Sequence, residues 1–156
     1  MAIPARTLKQ EIDAIDCAIL RLLGTEGRMP MTELGRQVGM SSPSVTERVR
    51  RLEDAGIIRG YRAELDPAAL GLGISACIRV RPMPGQLEHV ARLLANIEAV
   101  VECDRVTGDD CFVAKVHVAS IQEIERIIDL IIPYAMTNTS VVQSSPVPRR
   151  LPQLPG

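Results

Sequence analysis

Apolar positions along this chain follow two rhythms, and the change between them falls near residue 66. Before it the spacing is helical. In "EIDAIDCAILRLLGTEG", Ile12, Ile15, Ile19, Leu22 and Leu23 recur on one face of a 3.6-residue repeat. Asp13 predicts an N-cap, Asp16 sits favourably in the first turn, and Gly24 and Gly27 supply the exit. "MTELGRQVG" predicts a shorter second helix, with Leu34 and Val38 inward and Gly39 closing it. "SSPSVTERVRRLEDAG" predicts a third, buried along Val45, Val49 and Leu52 and ended by Gly56. Its start has two solutions: Ser42 as N-cap before Pro43, or a capping box from Ser44 to Glu47. "IIRGYRAEL" then predicts a β-ribbon turning at Gly60.

After "DPAALGLG" the period becomes two. "ISACIRV" alternates Ile74, Ala76, Ile78 and Val80 against Ser75, Cys77 and Arg79, the pattern of a half-buried strand. "GQLEHVARLLANIEAV" predicts an amphipathic helix, and "VVECDRV" and "CFVAKVHV" predict strands joined by Thr107-Gly108-Asp109-Asp110. "SIQEIERIIDLII" predicts a second helix halted by Pro133, and "AMTNTSVVQS" a last strand. The order βαββαβ predicts a ferredoxin-like α/β sandwich with its helices on one face. The expected class is therefore α+β. Residues 1–65 form a winged helix-turn-helix, 66–73 a linker, 74–145 the ferredoxin-like domain and 146–156 an extended proline-rich tail.

Composition narrows the function classes. Hydrophobic residues at 46% and charged residues at 24% describe a globular chain. Phe112, Tyr61 and Tyr134 are its only aromatics, which disfavours a base-stacking surface for single strands. With a formal net charge of −1, any nucleic-acid site has to be a local basic patch. No basic segment followed by an apolar core opens the chain, and no apolar run approaches the roughly 18 residues of a membrane span, so a cytoplasmic location without membrane contact is expected. Cys17, Cys77, Cys103 and Cys111 form no C-x-x-C pair, and His89 and His117 have no ligand-like spacing to them. Reduced thiols and no metal are expected; Cys103 and Cys111 flank the 107–110 loop, which leaves a disulfide switch across the hairpin as the minor alternative. No nucleophile–base pairing and no phosphate loop appears, so neither catalysis nor a cofactor is expected.

Two short helices joined by "GMSS", then a ribbon, are the parts of a winged helix-turn-helix. With Val45, Val49 and Leu52 inward, Ser44, Arg48 and Arg51 share one flank, while Glu47, Arg50 and Asp54 point away from the core. A helix entering the major groove needs its first turn free for base edges and basic neighbours for phosphates. Ser41, Ser42, Ser44 and Thr46 supply the former, and Arg48, Arg50 and Arg51 the latter, with Arg59 and Arg62 of the ribbon adding backbone contacts and Pro43 and Glu47 of the same helix completing the candidate DNA-contact set. The alternative is a surface helix whose arginines pair with Glu47, Glu53 and Asp54.

The stretch from "IDCAILRLLGTEG" to "DPAALG" resembles the N-terminal half of the Lrp/AsnC family of transcription regulators. "VVECDRVTGDDCFVAKVHV" is similar to that family's effector domain, whose V-x-x-x-x-x-V-T-G-D signature spans Val100 to Asp109. The resemblance implies a double-stranded-DNA-binding regulator that responds to an amino acid, dimerises through its C-terminal sheets and often assembles into octamers. Thr107, Gly108, Asp109 and Asp110 then fall on the effector loop, and Thr137, Thr139 and Ser140 on a strand near the ligand. An ammonium would want a carboxylate such as Asp109, and a carboxylate would want backbone N–H groups or hydroxyls. Two positions depart from the family. The loop reads T-G-D-D-C where many members read T-G-D-Y-D, and Pro30 stands where a serine or asparagine cap is usual. Two other readings stay open: an architectural, chromatin-like DNA-binding protein without effector, and a metabolite-binding oligomeric module.

Overall fold

The computed structural model describes residues 12–155. Residues 1–11 and Gly156, which belong to the predicted domain 1–65 and tail 146–156, lie outside the described residues. The chain divides into two compact units, one running to Glu64 and resuming at Val147, the other spanning Leu65–Pro146.

The first unit is built on three helices, α1 (Ala14–Thr25), α2 (Met31–Val38) and α3 (Ser42–Asp54). Asp13 caps α1 in a reciprocal box, its carboxylate accepting from the Asp16 N–H at 2.8 Å while the Asp16 carboxylate accepts from the Asp13 N–H at 3.3 Å. Gly24 lies inside α1 and does not end it; Glu26 is the C-cap. At Pro30 the second helix begins with no side-chain cap. Between α2 and α3 the chain turns at Gly39, left-handed at φ 71°. The turn is tight enough that a Cβ on Gly35 would stand 2.7 Å from the Met40 carbonyl oxygen. The N-cap of α3 is Ser41, one residue before the predicted Ser42, and its hydroxyl accepts from the Ser44 N–H.

Ile19, Leu20, Leu23, Met29, Leu34, Val45, Val49 and Leu52 form the core of this unit. The predicted ribbon is not formed. Ile57 and Ile58 turn back onto the helical core, both N–H groups donating to the Leu52 carbonyl, and residues 59–65 carry no strand. Both isoleucines are thus used to close the helices, which leaves no alternating apolar face on which a ribbon would pack.

The second unit holds β1 (Ile74–Pro82), α4 (Leu87–Asn96), β2 (Val100–Arg105), β3 (Phe112–Val118), α5 (Ile121–Ile131) and β4 (Ala135–Val141). The sheet order is β2-β3-β1-β4 and every neighbouring pair is antiparallel. One face carries Ala76, Ile78 and Val80 of β1 in register with Val116, Ala114 and Phe112 of β3. Val90 and Leu94 of α4 and Ile124, Ile127 and Ile131 of α5 cover that face, giving one aliphatic core. On the other face lie Cys77, Arg79 and Arg81 of β1, Lys115 and His117 of β3, and Met136, Asn138 and Ser140 of β4. The cysteines of the β2–β3 hairpin do not face each other. Cys103 pairs with Ala114 while Cys111 bonds Val106, three positions further along. At about 3.3 Å per residue that offset exceeds the reach of a disulfide. Among the described residues, no helix is long and apolar enough to cross a membrane.

Candidate nucleic-acid interface and ligand site

The helical phase of α3 is as predicted, but two of its arginines are otherwise engaged. Arg48 Nη1 donates to Asp13 Oδ2 at 2.6 Å and to Asp16 Oδ1 at 2.9 Å, and Arg51 Nη2 donates to Asp16 Oδ2 at 2.7 Å. Asp16 is 1% exposed, the one buried charge among the described residues. A carboxylate at that depth requires paired donors, and the two guanidinium groups supply them while riveting α3 to α1. Asp13 is held below the ordinary carboxyl range by the Asp16 N–H and then by Arg48, and Arg48 is pushed up in turn, chiefly by Asp13. This corrects the expectation that Arg48 and Arg51 stand free for phosphates. Their cis partners are also not Glu47, Glu53 or Asp54, as the surface-helix alternative supposed, but acids of α1. Asp16, which the sequence marks only as a first-turn acid, has the larger part: its apolar helical phase beside Ile12 and Ile19 is the available signal.

What remains open to solvent is the first turn of α3 and the side that bears Glu47 and Arg50. Ser41, Pro43, Ser44, Thr46, Glu47 and Arg50 are exposed, and Ser42 is half-buried. Ser41 and Ser44 share a hydrogen bond at 2.7 Å, and the Thr46 hydroxyl donates to the Ser42 carbonyl, leaving its own acceptor sites outward. Among the described residues the one acid that Arg50 meets is Asp54, at 3.9 Å between two highly exposed side chains, so water or a phosphate displaces that pair at little cost. Thr46 and Arg50 also border an open hollow of about 500 Å³ shared with Met29, Met31 and Tyr61. Across it the Tyr61 hydroxyl donates to Glu53 at 2.8 Å, and burial followed by that acid pushes the phenol up to about 12. Arg59 and Arg62 are exposed on the strandless segment after α3. On α2, Arg36 makes a two-pronged bond to Glu33, whose carboxyl falls to about 2 chiefly for that reason.

In the second unit the β2–β3 loop bends at Gly108, φ 113°, a conformation that L side chains rarely adopt. Arg81 reaches both acids of this loop, Asp109 at 3.7 Å and Asp110 at 3.6 Å. An open hollow of about 290 Å³ lies beside the pair, lined by Arg79, Arg81, Asp110, Met136, Thr137 and Asn138. Of the predicted ligand residues it contains Asp110 and Thr137. Thr107, Gly108, Asp109, Thr139 and Ser140 do not line it. Thr139 is in register with the buried Ile78 and Ser140 with Cys77, so these neighbours point to opposite faces. Thr139 Oγ1 is buried without a hydrogen-bond partner. Arg79, Arg81 and Asn138 are not among the residues the sequence nominates, although the period-two alternation that buries Ile78 and Val80 already sends both arginines to the open face. His117, on the same face, shares a 2.7 Å hydrogen bond with Ser75, and burial followed by Lys115 lowers its basicity. Among the described residues no three His, Cys, Asp or Glu side chains converge as a metal site.

Both units have known counterparts. The AsnC-type helix-turn-helix domain matches residues 12–53, and the Lrp/AsnC ligand binding domain matches residues 75–152. The transcriptional regulator LrpC of Bacillus subtilis is 36% identical over 86% of this chain and 93% of its own length. Its solved structure superposes with a TM-score of 0.84, covering 87% of this chain and 97% of that one. LrpA of Mycobacterium tuberculosis is 35% identical over 80% of this chain and 83% of its own. A feast or famine regulatory protein of M. tuberculosis, solved with L-methionine, is 32% identical with a TM-score of 0.83, over 90% of this chain and 98% of that one. With two family domains in the same order, and relatives aligned along most of their length, this chain belongs to the Lrp/AsnC family of transcription regulators, which are not enzymes.

Proposed function

We propose that this regulator reads double-stranded DNA with the solvent face of α3. Ser41, Ser42, Pro43, Ser44, Thr46 and Glu47 approach base edges, and Arg50, Arg59 and Arg62 hold phosphates. Arg48 and Arg51 act one step back, fixing the angle of α3 on α1. The observation that carries this reading is the division of labour on one helix: Arg48 and Arg51 bonded to the buried Asp16, and exposed hydrogen-bonding side chains on the first turn and the Arg50 side. A homodimer presents two such helices to successive major grooves, so half-sites about one turn apart, or a multiple of it, are expected.

The loop Thr107–Asp110 and the hollow beside it would take a small zwitterion, typically an amino acid. Asp110 suits an ammonium and Arg79 a carboxylate, since Arg79 has no acidic partner within 4.0 Å among the described residues. Thr137 and Asn138 border it, Asp109 and Ser140 contribute only if a second copy completes the site, and the buried Thr139 hydroxyl does not reach it. The methionine-bound relative supports an amino-acid effector. Ligand binding that favours one arrangement of dimers, up to an octamer, would shift the spacing of the DNA-reading heads. A cytoplasmic location without cofactor fits this role.

The test is fluorescence anisotropy of the full chain on a duplex from its own upstream region and on a scrambled duplex. Binding that prefers the former and falls steeply with salt is expected. Equal binding to both favours the architectural reading, and no binding at low salt favours the metabolite module.

A further inference from the structure

After Pro146 the chain returns to the helical unit. Residues 147–155 contain no helix or strand, as their prolines predict, yet they are seated. Leu154 packs against the core of α1, α2 and α3. Leu151 lies over Gly24, where an added Cβ would stand 2.8 Å from its Cγ. The buried Cys17 thiol donates to the Pro155 carbonyl at 3.1 Å. Cys17 and Gly24 are two turns apart on one face of α1, so the segment runs along that helix. It also explains why a glycine is accommodated inside α1: its missing side chain is the seat of Leu151.

This segment carries Arg149 and Arg150, both exposed and neither with an acidic partner within 4.0 Å among the described residues. Their effect on charge is large for the unit they join. Residues 1–64 hold ten basic and nine acidic side chains. With residues 147–156 the helical unit has twelve basic against nine acidic, whereas Leu65–Pro146 has six against ten. Arg48 and Arg51 are meanwhile committed to Asp13 and Asp16. Phosphate neutralisation has to come from elsewhere on the unit, and the returning segment restores two unpaired cations.

We infer that residues 147–155 are a basic strap of the DNA-binding unit, seated on α1 by Leu151, Leu154 and Pro155, through which Arg149 and Arg150 contact the phosphate backbone. The inference rests on the reading of α3 as a DNA contact. Phosphate bonds of this kind add affinity without sequence preference.

Salt-dependent anisotropy of the full chain, from about 50 to about 200 mM, tests it on specific and scrambled duplexes. Arg149→Ala/Arg150→Ala is expected to reduce the slope of log K against log salt by about 2, near 0.9 for each phosphate no longer neutralised, equally on both duplexes. Truncation after Pro146 is expected to reduce the slope equally and to lower the unfolding midpoint of the helical unit. An unchanged slope in the double variant overturns the inference, as does a reduction confined to the specific duplex. Should the truncated chain fail to fold, the double variant decides alone, because its two side chains are exposed. A wild-type chain that binds neither duplex overturns the reading of α3 itself, which is a different result from a wild type that binds and a double variant that matches it.

Discussion

The helical unit and the sheet unit solve the same problem with different forces. In the sheet unit, register sets the packing: Ala76, Ile78 and Val80 meet Val116, Ala114 and Phe112, and two amphipathic helices close over them with no buried charge among the described residues. The helical unit has a smaller aliphatic core and adds a buried carboxylate bonded by two arginines. Aliphatic packing resists pH and salt and is indifferent to direction. Charge-assisted bonds are directional, so they fix the angle at which α3 leaves the core, which is what a reading helix needs. The same chain therefore places its charges where orientation matters and its aliphatic side chains where only cohesion does.

Substitutions that strike one unit at a time break this contrast. Ile78→Ala, in the fully buried centre of the sheet, is expected to cost roughly 2–5 kcal/mol by leaving a cavity. Asp16→Ala is expected to cost about 3 kcal/mol, the low end for breaking a buried pair, because the arginines it abandons are partly exposed and regain water. The chain has no tryptophan and one tyrosine in each unit, Tyr61 and Tyr134. Urea unfolding followed by tyrosine fluorescence in Tyr134→Phe and Tyr61→Phe backgrounds assigns each destabilisation to its unit. An Asp16→Ala chain as stable as its parent would mean that the ion cluster is neutral to folding.

Acid gives a smaller effect that sharpens the comparison. Asp13 and Glu33 have folded carboxyls below their ordinary values of 3.8 and 4.5, so the folded state favours their charged forms. Their contribution to the helical unit is complete above about pH 4.5 and drains as pH falls toward about 2, the folded value of Glu33. His117 in the sheet unit is lowered from 6.5, so the folded state favours its neutral form. That contribution is present above pH 6.5 and is lost as pH falls through the lowered value. The urea midpoint reported by Tyr134 is therefore expected to begin falling at higher pH than the one reported by Tyr61. Glu33→Gln should flatten the acid limb of the Tyr61 midpoint and leave the Tyr134 midpoint unmoved.

Much of this architecture is legible along the chain. Period-two alternation locates β1 and β3, helical spacing locates all five helices, and Gly39 and Gly56 mark where two of them stop. Local rules fail where a tertiary contact overrides them. The ribbon does not form because Ile57 and Ile58 look like strand residues until a helical core claims them. Gly24 looks like a helix end until Leu151, more than a hundred residues later, occupies the space above it. Arg48 and Arg51 look like phosphate ligands because nothing in the third helix reveals that Asp16, two helices earlier, is buried opposite them. The hydroxyls of β4 look convergent, although strand alternation places Thr139 and Ser140 on opposite faces.

On the proposed reading α3 is divided, with its Arg50 side meeting DNA and its Arg48 side meeting α1. Salt-dependent anisotropy on the specific duplex, paired with urea unfolding of Arg50→Ala and Arg48→Ala, tests it most directly. Arg50→Ala is expected to lower the salt slope by about 1 with unchanged unfolding, while Arg48→Ala lowers the unfolding midpoint of the helical unit and leaves the slope of the folded protein intact. A folded, undiminished Arg48→Ala chain with a reduced slope, beside an Arg50→Ala chain that binds like its parent, would contradict it.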